Sequence, residues 1–253
     1  MSSNSFLSSS STSSSRLLLE DDVGGRGYFA RYTSVGVVDA CPATCWDLIG
    51  DPCTWLTSVS GVREVPKSRV VSGLFGEHQT FDVVQTTKVN LLGKDFHVPM
   101  KMRIHSNSFT RENRFECKKR NKLLSKTEGS FQVIPMGDTR RLRKALPGFG
   151  REHLEHLERF GGSNGLNGLM GGSSQKSIVV FKQALQPSMM PPKFARGMFK
   201  RHLGRSIDHV MRDLQAGARR ETTQGGDWLS HRALLPALAV IGSFGSFIAE
   251  VTA

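Results

Sequence analysis

The segment from Asp39 to Trp55 (DACPATCWDLIGDPCTW) leaves the chain few ways to continue. An extended run, Tyr28 to Val38, leads into it and stops at Asp39. Pro42 suits the first position of a helix, where its missing N–H costs nothing. Trp46, Leu48 and Ile49 then give that helix an apolar side. Asp51-Pro52 ends it, because a residue before proline is pushed out of helical conformation. A second aromatic, Trp55, follows on a second short turn of helix. A first strand followed by two short helices, where a hairpin or one long helix is usual, predicts a curved sheet that grips a long helix around a cavity.

From Tyr28 to Gln186 the hydrophobic period is mostly two. Between Phe96 and His105 the alternation is strict. Phe96, Val98, Met100, Met102 and Ile104 fall on one face; His97, Lys101, Arg103 and His105 fall on the other. One buried face and one wet face is the habit of an antiparallel sheet. Pro99 cannot donate to a ladder, so it predicts an edge or bulge position. Thr80 to Asn90 reads as the partner strand, joined through Leu91-Leu92-Gly93-Lys94. Phe109 to Lys118, Leu124 to Pro135 and Lys176 to Gln186 follow, and a weaker strand lies around Val62–Val71. The expected fold is α+β, with an antiparallel sheet of about seven strands.

After Pro191-Pro192, residues from Phe194 to Leu214 repeat at three- and four-residue spacing, among them Met198, His202, Leu203, Ile207 and Met211. Lys200, Arg201, Arg205, Asp208 and Arg212 occupy the other side. This predicts one long amphipathic helix with a single face for a core, closed by Gly217.

The flanks differ from this middle. Residues 1–26 form a leader in which Ser dominates and no acid precedes Glu20, a composition expected of a disordered segment and of an organellar transit peptide. Scarce arginine favours the chloroplast over the mitochondrion. Residues 138–174 interrupt the strands. They open on Arg140, Arg141, Arg143 and Lys144, pass through a charged helix candidate at Arg151–Arg159 and end rich in Gly and Ser. So long an interruption is either functional or disordered. Residues 219–253 form a linker and an apolar segment, 233–251, that reaches the lower length for a membrane span but carries Pro236, Gly242 and Gly245. The chain carries a net charge of +12, which favours polyanions or anionic lipid surfaces. Its bases concentrate between Lys101 and Lys126 and between Lys193 and Arg220. Cys41, Cys45, Cys53 and Cys117 follow no disulfide or zinc spacing, so no metal site is expected.

Taken together, the order of one strand, two short helices, further antiparallel strands and a long helix resembles the helix-grip plan of the START-like (SRPBCC) superfamily. The likeness extends over residues 27–218. Its closest quarter is the polyketide cyclase/dehydrase and coenzyme Q-binding group, whose Ala-Pro-x-x-x-Trp-x-x-(Leu/Ile)-x-Asp pattern is matched here by Pro42, Trp46, Ile49 and Asp51, with Cys41 where Ala is usual. Glu128 to Pro135 resembles the family's penultimate strand, and Val180 to Pro192 its closing strand and proline break. The insertion at 138–174, the apolar tail and Thr57-Ser58-Val59-Ser60 depart from the family pattern.

The resemblance implies a cavity between sheet and helix. Its lining would be Phe81, Val83, Gln85, Phe96, Val98, Met100, Met102, Ile104, Phe131, Val133, Met198, Leu203, Ile207 and Met211, aromatic, branched and thioether groups suited to an irregular apolar ligand. Gln85, with Thr87, would supply polar contacts to a headgroup. Catalysis has one candidate, His202, on the inner face of the helix; His97 and His105 alternate to the wet face, and His153 and His156 lie in the insertion. Three functions follow: a non-enzymatic binder or carrier of a lipid, isoprenoid quinone or similar molecule at an anionic organellar membrane, needing no cofactor; a cyclase/dehydratase-type enzyme; and a basic RNA- or ribosome-interacting protein. Against the last, no recognised nucleic-acid module is present and aromatics are not interleaved with the bases.

Overall fold

The computed structural model describes residues 16–21, 27–50, 62–91, 94–117, 124–147 and 176–189, with single positions among 152–157 and 193–218. These hold one eight-stranded antiparallel sheet and two short helices. The strands are β1 (Arg16–Asp21), β2 (Ala30–Val38), β3 (Val62–Ser72), β4 (His78–Leu91), β5 (Lys94–Asn107), β6 (Glu112–Cys117), β7 (Leu124–Pro135) and β8 (Ser177–Pro187). The helices are α1 (Pro42–Ile49) and α2 (Thr139–Ala145). Strand order is β1-β2-β8-β7-β6-β5-β4-β3, so the chain's early strand pairs with its last one and the rest descend as a meander.

Seven of these strands stand where the hydrophobic period put them. Pro99 pairs with Thr86 on β4, and among the described residues β6 reaches along β5 only as far as Met102↔Cys117, so no described strand beyond Pro99 asks for its missing N–H. The strand expected from Phe109 begins instead at Glu112. Asn107 Oδ1 accepts the Thr110 N–H at 3.0 Å, and Arg111 turns at φ 51°, so Phe109 belongs to the β5–β6 turn. The eighth strand, β1, lies inside the segment read as a disordered leader. Arg16↔Gly36 through Asp21↔Arg31 pair it with β2, which corrects that reading for residues 16–21. An open edge of β2 is a template for any extended segment with free backbone groups.

The insertion is likewise more ordered than a loop. Asp138 caps α2 by accepting the Arg141 N–H at 3.0 Å. Leu142, Ala145 and Leu146 then pack with Val35, Val37, Ile134, Ile178 and Val180. Leu157, from the stretch read as a solvated charged helix, is fully buried in the same cluster, which corrects that reading at this position. This cluster covers one face of β2 and β8. The other face of those strands is buried as well, so neither shows alternation; a run buried on both sides reads as continuously apolar.

The second short helix (51–61) and the apolar tail (233–251) lie outside the described residues. Among the described residues, no helix is long and apolar enough to cross a membrane.

Candidate functional site

Cross-strand register defines the face opposite the insertion. Tyr32 pairs with Gln183, and Gln183 with Gly129. Phe181 pairs with Phe131, Phe115 with Ile104, Phe81 with Ile104 and Val83 with Met102. Directly opposed residues share a face, so these side chains form one continuous layer across β2, β8, β7, β6, β5 and β4. At its centre, Phe131 and Phe181 stack with ring centroids 4.3 Å apart, and Phe115 sits 6.3 Å from Phe181 and 6.4 Å from Phe131. Gly129 makes this trio possible, because a Cβ there would lie 2.3 Å from the Phe115 ring and 2.5 Å from the Lys182 carbonyl oxygen.

Two elements cap the layer. At one end α1 is held by hydrogen bonds to its termini. Ser177 Oγ donates to the Ala40 carbonyl at 2.7 Å, Ser106 Oγ to Gly50 at 2.9 Å, and Asn113 Nδ2 to Ile49. Carbonyls at a helix C-terminus have no partner within the helix, which explains Ser106 and Asn113, two buried polar side chains on an apolar face; Ser177 instead holds the turn that leads into the helix. At its N-terminus, Cys41 caps α1 with its sulfur, accepting the Thr44 N–H at 3.4 Å; hydrogen bonds from Thr44 hold this thiol below its ordinary pKa. Over β2 lies the C-terminal helical segment. Its described positions from Arg196 to Ala218 have helical backbone, and Met211, Leu214 and Ala218 are fully buried. Tyr32 Oη donates to the Lys200 carbonyl at 2.6 Å, and Gln215 Nε2 to the Val37 carbonyl at 2.7 Å. Val37 is the first β2 residue past the end of β1, which stops opposite Gly36, so Gln215 supplies the donor that β1 does not. A curved sheet in this order, with α1 after its first meander-closing strand and a helical segment on its inner face, is the helix grip.

Of the residues expected to line the site, Phe81, Val83, Met102, Ile104, Phe131, Val133 and Met211 are buried. Gln85, Phe96, Val98 and Met100 continue the β4–β5 register, where Gln85 pairs with Met100 and Val98 with Thr87. Their side chains, and Met198, His202, Leu203 and Ile207 altogether, lie outside the described residues. His105 is exposed beside Thr80, with Nδ1 3.1 Å from its hydroxyl, on the wet face where alternation put it. Four side chains of the layer, Tyr32, Phe115, Phe181 and Gln183, escaped the sequence reading. Phe115 was recoverable, since Glu112–Cys117 alternates buried and exposed. Phe181 and Gln183 sit in the doubly buried β8, where periodicity names no face.

The described inward positions of β2, β5, β6, β7 and β8 carry no charged side chain. Arg69, on β3 at the edge of the sheet, stands opposite Phe81 with its guanidinium 5.5 Å from that ring. Most of the described charge lies on the outer face, where Asp82, Arg103, Glu116 and Glu128 pair in sequence across four strands and Arg103 Nε lies 3.0 Å from Asp82 Oδ1. There too Tyr28 packs under Lys126 and Arg31, 4.2 Å and 4.8 Å from its ring centroid. Burial, and then the Glu128 carboxylate, push its phenol well above the ordinary value. Among the described residues, no cluster of His, Cys, Asp and Glu has the arrangement to hold a metal ion.

No protein-family model and no curated protein matches the chain. Solved structures similar to it include the Zhui aromatase/cyclase from Streptomyces sp. R1128, at 9% identity and a TM-score of 0.45, covering 78% of this chain and 97% of that one. A START superfamily protein from Mycobacterium smegmatis is similar at 10% identity and a TM-score of 0.44, covering 75% and 97%. Scores of this size add no functional argument; the strand order and helix contacts above define the fold.

Proposed function

We propose that this protein binds a hydrophobic small molecule between the inner face of its sheet and the C-terminal helix, and exchanges it at an anionic organellar membrane. The observation that carries the reading is the inner layer: aromatic, branched and thioether side chains from six strands, β2 and β4 to β8, with no charged residue at their described inward positions. Such a lining favours an apolar guest of irregular outline. Titration of the full chain with the neutral fluorophore N-phenyl-1-naphthylamine tests it. Saturable binding at one site per chain is expected; a linear, unsaturable signal contradicts it.

The membrane half of the proposal is supported by one end of the sheet. The β3–β4 turn presents Leu74 and Phe75 at 93% and 94% exposure, and Phe109 in the neighbouring β5–β6 turn is 75% exposed. The two turns are joined by Ser108 N–H donating to the Glu77 carbonyl at 2.9 Å. Leu74 and Phe75 are held outward by a built turn: Gly73 and Gly76 take φ of 97° and 70°, and the Glu77 carboxylate accepts the Phe75 N–H at 2.9 Å. Backbone N–H groups keep that carboxyl below its usual range. At the same end of the sheet, α2 exposes Arg140, Arg143 and Lys144. Apolar tips flanked by bases suit an anionic bilayer, each base near the surface contributing about 1 kcal/mol. Replacing Leu74 and Phe75 by Ser is expected to reduce sedimentation with phosphatidylglycerol-containing vesicles at least ~10-fold, each tip contributing roughly 1.5–3 kcal/mol when buried. Unchanged sedimentation would remove this half of the proposal. The Ser-rich leader supports an organellar location, plastid ahead of mitochondrion, a reading for which import of the full chain into isolated plastids is the check.

A further inference from the structure

We infer that Gln183 is the polar anchor of the bound molecule, and that the molecule therefore carries an uncharged carbonyl, amide or hydroxyl group on an otherwise apolar body. The inference rests on the ligand-binding reading above and deepens it.

Gln183 lies in the middle of β8 and is 2% exposed. Neither its Nε2 nor its Oε1 has a hydrogen-bond partner among the described residues. A buried primary amide with all its donors and acceptors idle is costly and rare, so the folded chain needs something to meet it. Its register neighbours cannot. Tyr32, opposite on β2, donates its hydroxyl to the Lys200 carbonyl, and Gly129, opposite on β7, has no side chain. Phe181 and Leu185, two residues away along the same face, are apolar. Of the other buried polar side chains on this face, Ser177, Ser106 and the Nδ2 of Asn113 hold the ends of α1, and Thr127 donates to the Ala184 carbonyl at 3.2 Å; Asn113 keeps one idle atom, Oδ1, whereas both polar atoms of Gln183 are idle. Gln183 holds nothing.

The amide offers donors and an acceptor side by side, which matches a group offering the reverse. A carboxylate or phosphate is disfavoured, because the described inward positions of β2, β7 and β8, the strands around Gln183, provide no cation to offset its burial, and Arg69 stands away from it at the β3 edge. The anchor thus selects neutral polar amphiphiles and ranks them above both hydrocarbons and their ionised counterparts.

The test uses the full chain loaded with N-phenyl-1-naphthylamine and displaced in turn by dodecanamide, dodecane and dodecanoate. The amide is expected to displace roughly tenfold better than either of the others, the scale of one well-placed hydrogen-bonding group. In Gln183→Leu, which keeps the volume and removes both polar atoms, that preference should vanish while dodecane binding is kept. The thermal midpoint gives an independent reading: dodecanamide raises it more than dodecane does in the wild type, and no more than dodecane does in Gln183→Leu. Equal displacement by amide and alkane in the wild type, or a preference that survives in Gln183→Leu, overturns the anchor and leaves the apolar site standing. Failure of the fluorophore to bind at all overturns both.

Discussion

Gly129 is the position where a single atom matters most. A β-carbon there would meet the Phe115 ring and, less negotiably, the Lys182 carbonyl oxygen of the neighbouring strand. Gly129→Ala is therefore expected to destabilise the protein by about 2–3 kcal/mol, as overpacking does in a core that cannot yield; chemical denaturation with tryptophan fluorescence measures it, and a cost near zero would mean that the aromatic trio is looser than its geometry. Cys41 is a residue of a different kind, a cap instead of a core group. Cys41→Ser should preserve the cap, whereas Cys41→Ala should cost about 1 kcal/mol. Because its hydrogen bonds stabilise the thiolate, Cys41 forms that species at lower pH than an ordinary thiol does. Its alkylation by iodoacetamide, read by peptide mass spectrometry, should accordingly reach half its maximal rate at lower pH than a model thiol, while Cys45, fully buried, stays unmodified. At this scale the sequence told less than it did about strands. It marked Pro42 as a helix start and Pro99 as a ladder gap, because proline's constraints are local. It was silent on Gly129 and Gln183, whose roles come from partners on other strands.

Among elements, strands were the most legible. Seven were placed from alternation and punctuation, since a sheet with one wet face writes its period into the chain. Where both faces are covered, at β2 and β8, the elements could be found but their inward residues could not be named. Two elements were missed for physical reasons. β1 carries its fold in backbone pairing to β2, which a low-complexity leader does not advertise. α2 is too short and too basic to show an apolar period, yet Leu142, Ala145 and Leu146 place it on the outer cluster with Leu157. That packing gives the insertion a structural role alongside any docking role of its bases. Leu142→Ala is expected to cost about 2–4 kcal/mol in global stability with little effect on fluorophore binding, because it lies on the sheet's other face. A matching loss of binding would mean that the two faces are coupled. If a transit peptide is removed on import, β1 requires that the cut fall before Arg16; Edman sequencing of the imported protein checks this, and a new terminus beyond Asp21 would count against β1 in the mature fold.

For the molecule as a whole, the sheet separates its tasks by face and by end. The outer face carries the ladder of paired charges and, at β2 and β8, the core shared with the insertion. The inner face is apolar, with α1 pinned at one end and the C-terminal helical segment tied over β2 by Tyr32 and Gln215. The end with the β3–β4 and β5–β6 turns presents large apolar side chains next to bases. An excess of positive charge, +12 overall, draws the molecule toward anionic surfaces at long range, and salt should weaken that attraction first. The central claim is the occupancy of the inner face. It is tested most directly by the mass of the intact full chain under non-denaturing conditions after exposure to a total lipid extract. The account predicts the chain mass plus one small neutral molecule, released when the protein is denatured. The bare chain mass at every extract concentration would contradict it.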